Sequence, residues 1–348
     1  MKVQPIDFRR VYAERIEGRK LIYLDNNIWI LLRDGGAAKA CRDHCLEAVR
    51  KGRAIFPVSY AAVSELFGIP SPSLRASQAE LMDALCMGVT SRSPEIIFRL
   101  EARHLYARLF ESAESRILRN EAYTSLPDYL GTGELEFAAD TPASVVEVVI
   151  NAWNDIDLPG RSLRWLSQEI PSAAQTERHA EKLKEYVALM ENLRARRLAD
   201  PKERSLDRNT AILRERVALF RSSVIPACQD LLARDCGADA AEIRRRLSEL
   251  GAGEIGGKRM TQRFRASLPS MEVAAQLHGM RAVDLQRRTR PQDFWDIEHA
   301  SFAMVYADAF VSADGGLTAL LEAKTMPPTA SAKVLKTVDA LEQWLGAA

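Results

Sequence analysis

The fold is constrained most by short apolar runs that lie only near the two ends of the chain. LIYL at residues 21–24 and AIFPVS at residues 54–59 each precede a helix-like segment. DAFVSA at residues 308–313 and SAKVLKT at residues 331–337 do the same near the other end. Strands that alternate with helices favour a parallel sheet covered by helices. The sequence therefore predicts that both ends of the chain enter one α/β sheet.

The middle of the chain has a different character. From about residue 74 to residue 286 it is almost entirely helix-like, with apolar residues every three or four positions. Residues 176–200 and 205–235 predict two long helices that are joined at Pro201. We therefore expect a mainly α-helical segment between the two groups of strands.

The length of the chain agrees with this division. A chain of 348 residues suggests two domains, or one domain with a large insertion. We predict a discontinuous α/β domain formed by residues 1–69 and 288–348. A helical insertion of residues 70–287 interrupts it.

Charge and hydropathy narrow the choice of partners. The net charge of +1 gives no overall attraction to nucleic acid or to a membrane, so such partners need local patches. No apolar stretch reaches the ~18 residues that suggest a membrane span. The N-terminal segment lacks the apolar core of a signal peptide. A cytoplasmic protein without membrane contact is the expectation.

The cysteines do not form a recognisable framework. Their odd number, five, argues against a set of disulfides. Cys41, His44 and Cys45 share one predicted helix, but no second Cys/His cluster completes a zinc site. We expect these cysteines to be small buried side chains.

Acidic residues accompany three of the apolar runs. Asp25 follows the first run directly, and Glu65 lies in the first turns of the helix after the second. Asp296 lies early in the helix before the third run, and Asp314 follows that run. In parallel sheets, ligands bind beyond the carboxyl ends of the strands. We therefore expect these four carboxylates at one edge of the sheet.

Four carboxylates that close repel one another unless a cation compensates them. Hard oxygen ligands select Mg²⁺ or Mn²⁺, and such a site suits phosphodiester hydrolysis. A structural interpretation stays open for each residue. Asp25 is also a normal helix N-cap. Asp293, Asp296 and Glu298 also complement a helix dipole in the first turns of their helix.

Four sequence blocks resemble the PIN-domain nucleases. They are LDNNIWI with Asp25 and Asn27, PVSYAAVSEL with Ser59 and Glu65, DIEHASFA with Asp296, Ala300 and Ala303, and AFVSAD with Ser312 and Asp314. The closing SAKVLKTVDALEQWL is similar to the last strand and helix of that family. The resemblance covers roughly residues 20–68 and 288–346. Its second and third blocks lie much farther apart than in a minimal PIN domain.

The resemblance implies a PIN-like three-layer α/β fold and a nuclease that acts on RNA with Mg²⁺ or Mn²⁺. It also implies roles for individual residues. Asp25, Glu65, Asp296 and Asp314 would be catalytic and would hold the metal directly or through water. Asn27 and Ser312 would orient ligands or a phosphate from behind the metal ligands.

Other polar residues near the third block are candidates for support. Asp293 lies one helical turn before Asp296 and could support it. His299, one turn after Asp296, could contact phosphate, although an interior hydrogen bond is the safer interpretation. Asp308 opens the third strand at the end opposite Asp314, so we do not expect it at the metal.

Basic residues predict where a nucleic acid would lie. Residues 241–290 contain eleven Lys and Arg against five Asp and Glu, and Phe264 among them could stack on a base. Arg287, Arg288 and Arg290 come directly before the helix that carries Asp296, so they are substrate candidates. The structural alternative is that these arginines form a solvated helix face.

Two other functions are consistent with these observations. The first is a catalytically inactive PIN-like scaffold whose helical region binds a protein partner or a second copy of the chain. The second is a haloacid-dehalogenase-type phosphatase, which also begins with an Asp after a strand. That chemistry normally needs a second Asp two residues later, where this chain has Asn27.

Overall fold

The computed structural model describes most of the two chain ends and parts of the middle. The described residues are 15–110, 119–125, 172–226, 266–323 and 326–347, with 2–3, 135–136, 142, 144–145, 163–164 and 245. The sequence also predicts a helix over residues 6–18, with apolar Phe8, Val11, Tyr12 and Ile16 at helical spacing, and most of it lies outside these ranges. So does most of the basic stretch before residue 266, including Phe264.

The strands are short. They are β1 (Lys2–Val3), β2 (Lys20–Leu24), β3 (Ala54–Ile55), β4 (Val89–Ser91), β5 (Tyr123–Ser125), β6 (Leu135–Glu136), β7 (Ala309–Val311) and β8 (Lys333–Leu335). Helices make up most of the remaining described structure. They are α1 (Asn26–Asp34), α2 (Lys39–Arg50), α3 (Tyr60–Phe67), α4 (Pro72–Cys86), α5 (Pro94–Phe110), α6 (Ser172–Ala199), α7 (Pro201–Arg204), α8 (Arg208–Leu219), α9 (Pro269–Val283), α10 (Gln292–Tyr306), α11 (Gly315–Leu321) and α12 (Val338–Ala347).

A four-stranded parallel sheet joins the two ends of the chain. Its strand order is β3-β2-β7-β8, and every neighbouring pair is parallel. In the central pair, Ile22 lies opposite Ala309 and Leu24 lies opposite Val311. The predicted mixed α/β class with a parallel sheet is therefore confirmed.

Helices cover both faces of this sheet. Along β2, Ile22 and Leu24 belong to one buried cluster, while Leu21 and Tyr23 belong to another. Side chains alternate between the two faces of a strand, so a strand buried on both faces reads as a continuous apolar run. The first cluster includes side chains of α1, α2, α4 and α12, and the second includes side chains of α9, α10 and α11.

The middle of the chain contributes to the same cores. Helix α4 packs in the first cluster, and Thr90 of β4 forms a parallel bridge to Val58. The long helix α6 ends where α7 begins, with Asp200 as the cap of α7. The antiparallel pair β4–β5 is a departure from the nearly all-helical middle that the sequence predicts. The limits of an insertion therefore stay a prediction.

Within the described ranges, no helix combines the length and the apolar character needed to traverse a bilayer.

Candidate functional site

Asp25 lies where β2 ends and α1 begins. It is 4% exposed, and its backbone N–H donates to the Val311 carbonyl of the neighbouring strand at 2.9 Å. Its carboxylate accepts hydrogen bonds of 2.7 Å from the Asn26 backbone N–H and from Ser312 Oγ. Asp25 is thus the N-cap of α1, and Ser312 holds it from the adjacent strand.

Asp314 occupies the equivalent position after β7. It caps α11, with Oδ1 accepting a hydrogen bond of 2.6 Å from the Leu317 N–H, and it is partly exposed. Its own backbone N–H donates to Ser312 Oγ at 3.2 Å. Ser312 therefore contacts both aspartates. The N-cap interpretation of Asp25 is confirmed, and Asp314 caps its own helix in the same way. Both aspartates lie at the carboxyl edge of the sheet, where ligands bind in parallel α/β folds.

Asp296 lies on α10, close enough to these two residues for their charges to act on it. Burial raises the pKa of its carboxyl, the charges of Asp25, Asp314 and Asp293 act in the same direction, and the pKa that results is about 7. Carboxylates that interact in a poorly solvated place show shifts of this kind. Perturbed acids of this type are typical of functional sites, although structural clusters show them too.

Glu65 reaches the site through His299. His299 Nε2 lies 3.3 Å from Glu65 Oε2, and Nδ1 lies 2.5 Å from the Tyr23 hydroxyl and 3.5 Å from Ser59 Oγ. Burial lowers the pKa of His299, but the hydrogen bond and charge of Glu65 more than offset this. The net effect is a raised pKa, helped by Asp25 and Asp296. The interior hydrogen bonds predicted for His299 are therefore present.

Asp293 is ion-paired with arginines. Arg287 binds it through two hydrogen bonds of 2.7 and 3.0 Å, and Arg281 Nη1 lies 3.3 Å from it. The Arg290 backbone N–H donates to it at 2.8 Å. Arg281 also reaches Asp296, with Nη2 3.6 Å from Oδ2. Asp293 thus supports α10 through ion pairs.

The remaining candidates lie farther from the acidic edge or face solvent. Asn27 is exposed and makes no side-chain hydrogen bond to any described residue. Arg288 and Arg290 are also exposed. Asp308 accepts a hydrogen bond of 2.7 Å from the Leu21 N–H at the opposite end of the strands, as expected.

The oxygen atoms of these carboxylates are of the type that binds a hard divalent cation, but their arrangement in the structure does not form a metal site. Asp25, Asp296 and Asp314 supply carboxylate oxygens at one edge, which suits Mg²⁺ or Mn²⁺. Among the described residues, however, no group of three or more His, Cys, Asp or Glu side chains is grouped closely enough to hold a metal ion. A cation held by Asp296 would share this carboxylate with Arg281, whose Nη2 lies 3.6 Å from Oδ2.

The cysteine helix behaves as a structural element. Cys41 and Cys45 are buried in α2, and His44 forms an ion pair of 2.8 Å with Glu342. The two cysteines are therefore small buried side chains, as expected.

Two residues of the site were not anticipated from the sequence. Tyr23 donates or accepts the short hydrogen bond to His299, and Arg281 lies between Asp293 and Asp296. A tyrosine in a buried strand and an arginine at the end of a helix carry no local signal. Their roles arise from contacts with α10, which is distant in sequence from Tyr23.

Comparison of the chain with protein-family models, with curated proteins and with solved structures finds no match in any of the three.

Proposed function

We propose that the chain is a PIN-like, divalent-metal-dependent nuclease that hydrolyses phosphodiester bonds of RNA. One observation carries this proposal. Asp25 and Asp314 come from opposite ends of the chain and share Ser312 at the carboxyl edge of the parallel sheet, and burial and their charges raise the pKa of Asp296 to about 7. Such mutual repulsion is what a bound cation relieves.

Asp25, Glu65, Asp296 and Asp314 would hold Mg²⁺ or Mn²⁺, which supplies Lewis acidity toward a phosphoryl oxygen and a more acidic water. The protein's contribution is positioning. Ser312 fixes Asp25 and orients the start of α11 beside it. His299 fixes Glu65 from the interior. Partners of this kind keep carboxylates oriented and deprotonated.

Arginines at the start of α10 support an RNA substrate. Arg288 and Arg290 are exposed and directly precede the helix that carries Asp296. Exposed guanidinium groups bind phosphates and make the affinity for nucleic acid fall with added salt. Arg287 is engaged with Asp293, so its role is to position α10.

The test is cleavage of a labelled single-stranded RNA with Mn²⁺. We expect Asp25→Asn and Asp296→Asn each to reduce the rate by at least about 100-fold, because one metal ligand is lost. Asp34→Asn is the matched control, since Asp34 lies exposed at the far end of α1 and pairs with Arg33. Circular dichroism checks that each variant folds. Undiminished cleavage in both site variants would refute the proposal.

A second function is favoured by the contacts of Arg281. This arginine already lies against Asp293 and Asp296, which compensates part of the acidic charge without a metal. This arrangement is sufficient for a catalytically inactive PIN-like scaffold, which would need no bound metal. The helical region of such a scaffold would bind a protein partner or a second copy of the chain. Mn²⁺ titration by calorimetry separates the two functions, because the scaffold predicts no binding at millimolar metal.

A further inference from the structure

A wide groove lies at the end of the sheet opposite the edge that carries Asp25 and Asp314. Two residues that precede strands line it, Arg19 directly before β2 and Gly52 two residues before β3. The rest of its lining comes from α2 and from the end of α4. Its volume of about 640 Å³ lies in the range of sites that bind ligands.

The wall of this groove is mostly apolar. Leu46 and Val49 contribute to it from α2, and Ala84 and Met87 contribute from the end of α4. Ala84 is exposed, and Met87 is 38% exposed. Methionine side chains are flexible and polarizable, and they are common on surfaces that accept peptides. Among the described residues no aromatic side chain lines the groove, so none is available there to stack on a nucleobase.

Met87 has a backbone conformation that glycine normally adopts. It ends α4 with φ 53° and ψ 33°, in the left-handed region. A side chain is disfavoured in that region, and glycine is the usual residue at such a helix end. Because Met87 is exposed, packing in the core does not account for its side chain at this position. The side chain is available to a binding partner instead.

Arginines on the rim of the groove have no acidic partner. Arg19 is partly exposed and Arg50 is exposed, and neither forms an ion pair or a side-chain hydrogen bond with any residue that the structure describes. Asp43, which also lines the groove, lies 3.6 Å from Arg42. Guanidinium groups bind carboxylates through two parallel hydrogen bonds. The rim therefore favours an acidic ligand.

We propose that this groove binds an acidic, amphipathic segment of a partner protein. An apolar side chain of the segment covers Leu46 and Met87, and carboxylates on either side of it pair with Arg19 and Arg50. Such a segment matches both the apolar wall and the positive rim, as an amphipathic helix fits a groove. The groove lies at the opposite end of the sheet from the proposed metal site. The inference therefore goes beyond the nuclease function and needs neither metal nor cleavage.

Fluorescence anisotropy in EDTA tests this binding with a fluorescein-labelled peptide that repeats Glu-Glu-Leu-Leu. Two matched peptides replace every Glu by Lys or every Leu by Ser, and labelled oligouridylate serves as a nucleic-acid probe. We expect the wild-type protein to bind the Glu-Leu peptide at least about 10-fold more tightly than any other probe. Its affinity should fall as salt is added, because exposed charges are screened.

Two variants of the groove separate the charges from the apolar contact. Arg19→Gln combined with Arg50→Gln removes both rim charges and should weaken binding of the Glu-Leu peptide by roughly tenfold. Met87→Gly removes an apolar side chain and should weaken binding by about the same factor. Because glycine suits the left-handed backbone, urea unfolding should show that Met87→Gly is about as stable as the wild-type protein.

Arg204→Gln combined with Arg208→Gln is the matched control for the charge variant. Both arginines are exposed, on α7 and at the start of α8, and neither forms an ion pair with a described residue. This control should bind the Glu-Leu peptide as the wild-type protein does. Loss of binding in the control equal to that in the rim variant would show that net charge alone acts, and it would overturn the inference.

Other results would also overturn it. Equal binding of the Glu and Lys peptides by the wild-type protein rejects an acidic ligand, and unchanged binding in both groove variants rejects the groove. Tighter binding of oligouridylate that the rim arginines support would assign the groove to nucleic acid. A dimer in sedimentation that Met87→Gly abolishes would assign it to a second copy of the chain.

Discussion

Individual buried carboxyl groups outside the acidic edge are used as structural anchors. Glu101 of α5 is completely buried and accepts hydrogen bonds from the backbone N–H groups of Ser270 and Met271 at the start of α9. It also accepts a hydrogen bond of 2.8 Å from the Tyr306 hydroxyl. One side chain thus ties α5 to α9 and α10. Burial nevertheless raises the pKa of Glu101 to about 7.

This shift makes the stability of the fold depend on pH. The pKa of Glu101 is about 7 in the fold against an ordinary 4.5, so the fold holds its proton more tightly than the unfolded chain does. Its contribution is therefore fully present below about pH 4.5 and is lost as the pH rises to about 7. Asp83, with a pKa of about 6, acts with the same sign.

The free energy of unfolding of the wild-type protein should fall between pH 5 and pH 8. In Glu101→Gln this fall should be smaller by roughly 2 to 3 kcal/mol, because glutamine does not ionise. Urea unfolding at the two pH values measures this difference. Glu322→Gln, at an exposed position paired with Lys336, should leave the wild-type pH dependence unchanged. Equal pH dependence in Glu101→Gln and wild type would contradict the argument.

Helices α8 and α9 pack together more closely than ordinary side chains allow. A Cβ atom added at Gly279 would lie 2.6 Å from the Cα of Ile212, so glycine is required at this crossing. Beside it, Arg216 forms a buried ion pair with both carboxylate oxygens of Glu272. The pair has good geometry, and removing one partner would leave a buried charge unpaired.

Gly279→Ala should lower the free energy of unfolding by about 1 to 3 kcal/mol, the usual cost of overpacking a core. The normal helical preference for alanine acts in the opposite direction and is smaller. Chemical denaturation measures the change. In Gly346→Ala of α12 the added methyl group meets nothing within 4 Å, so no loss is expected. A neutral Gly279→Ala would show that the two helices separate easily.

The chain as a whole joins its distant ends through the sheet. Strand β2 pairs with β7, and the carboxylates that follow these two strands come from residues nearly three hundred positions apart. A cation held between them would link the two ends. Any ligand that binds the folded chain and not the unfolded chain stabilises the fold.

Mn²⁺ should therefore raise the thermal midpoint of the wild-type protein in proportion to the logarithm of its concentration. At 100 times the dissociation constant the stabilisation is about 2.7 kcal/mol. Asp296→Asn should weaken this response strongly, and Asp34→Asn should retain it. An unchanged midpoint at millimolar Mn²⁺ in the wild-type protein would favour the scaffold function.

Local patterns in the sequence predict the strands and helix caps at the two ends of the sheet well. The runs at residues 21–24 and 308–313 predict strands that the structure contains, because a strand buried on both faces must be continuously apolar. Asp25 and Asp314 are recognisable as helix caps because capping is a property of neighbouring residues. The run at residues 54–59 predicts its strand less well, because β3 contains only two residues.

Contacts between distant residues are where prediction from the sequence fails. The β4–β5 pair was missed because three-residue strands have little periodicity of their own. Arg281 was missed because an arginine in the last turn of a helix is equally typical of a helix C-terminus. Its ion pairs with Asp293 and Asp296 depend on how α9 crosses α10.

Three features follow from the sequence. They are the order of strands and helices, the parallel sheet built from both chain ends, and the positions of the acidic residues at strand ends. They depend on apolar periodicity and on capping, which act over a few residues. The environment of each carboxylate does not follow from it. The burial of Asp296, the charges that act on it and the contact of His299 with Glu65 depend on which helices pack over the sheet edge. That packing sets how much water reaches each carboxylate and how far apart the charges lie. Both depend on positions that differ by only a few ångströms.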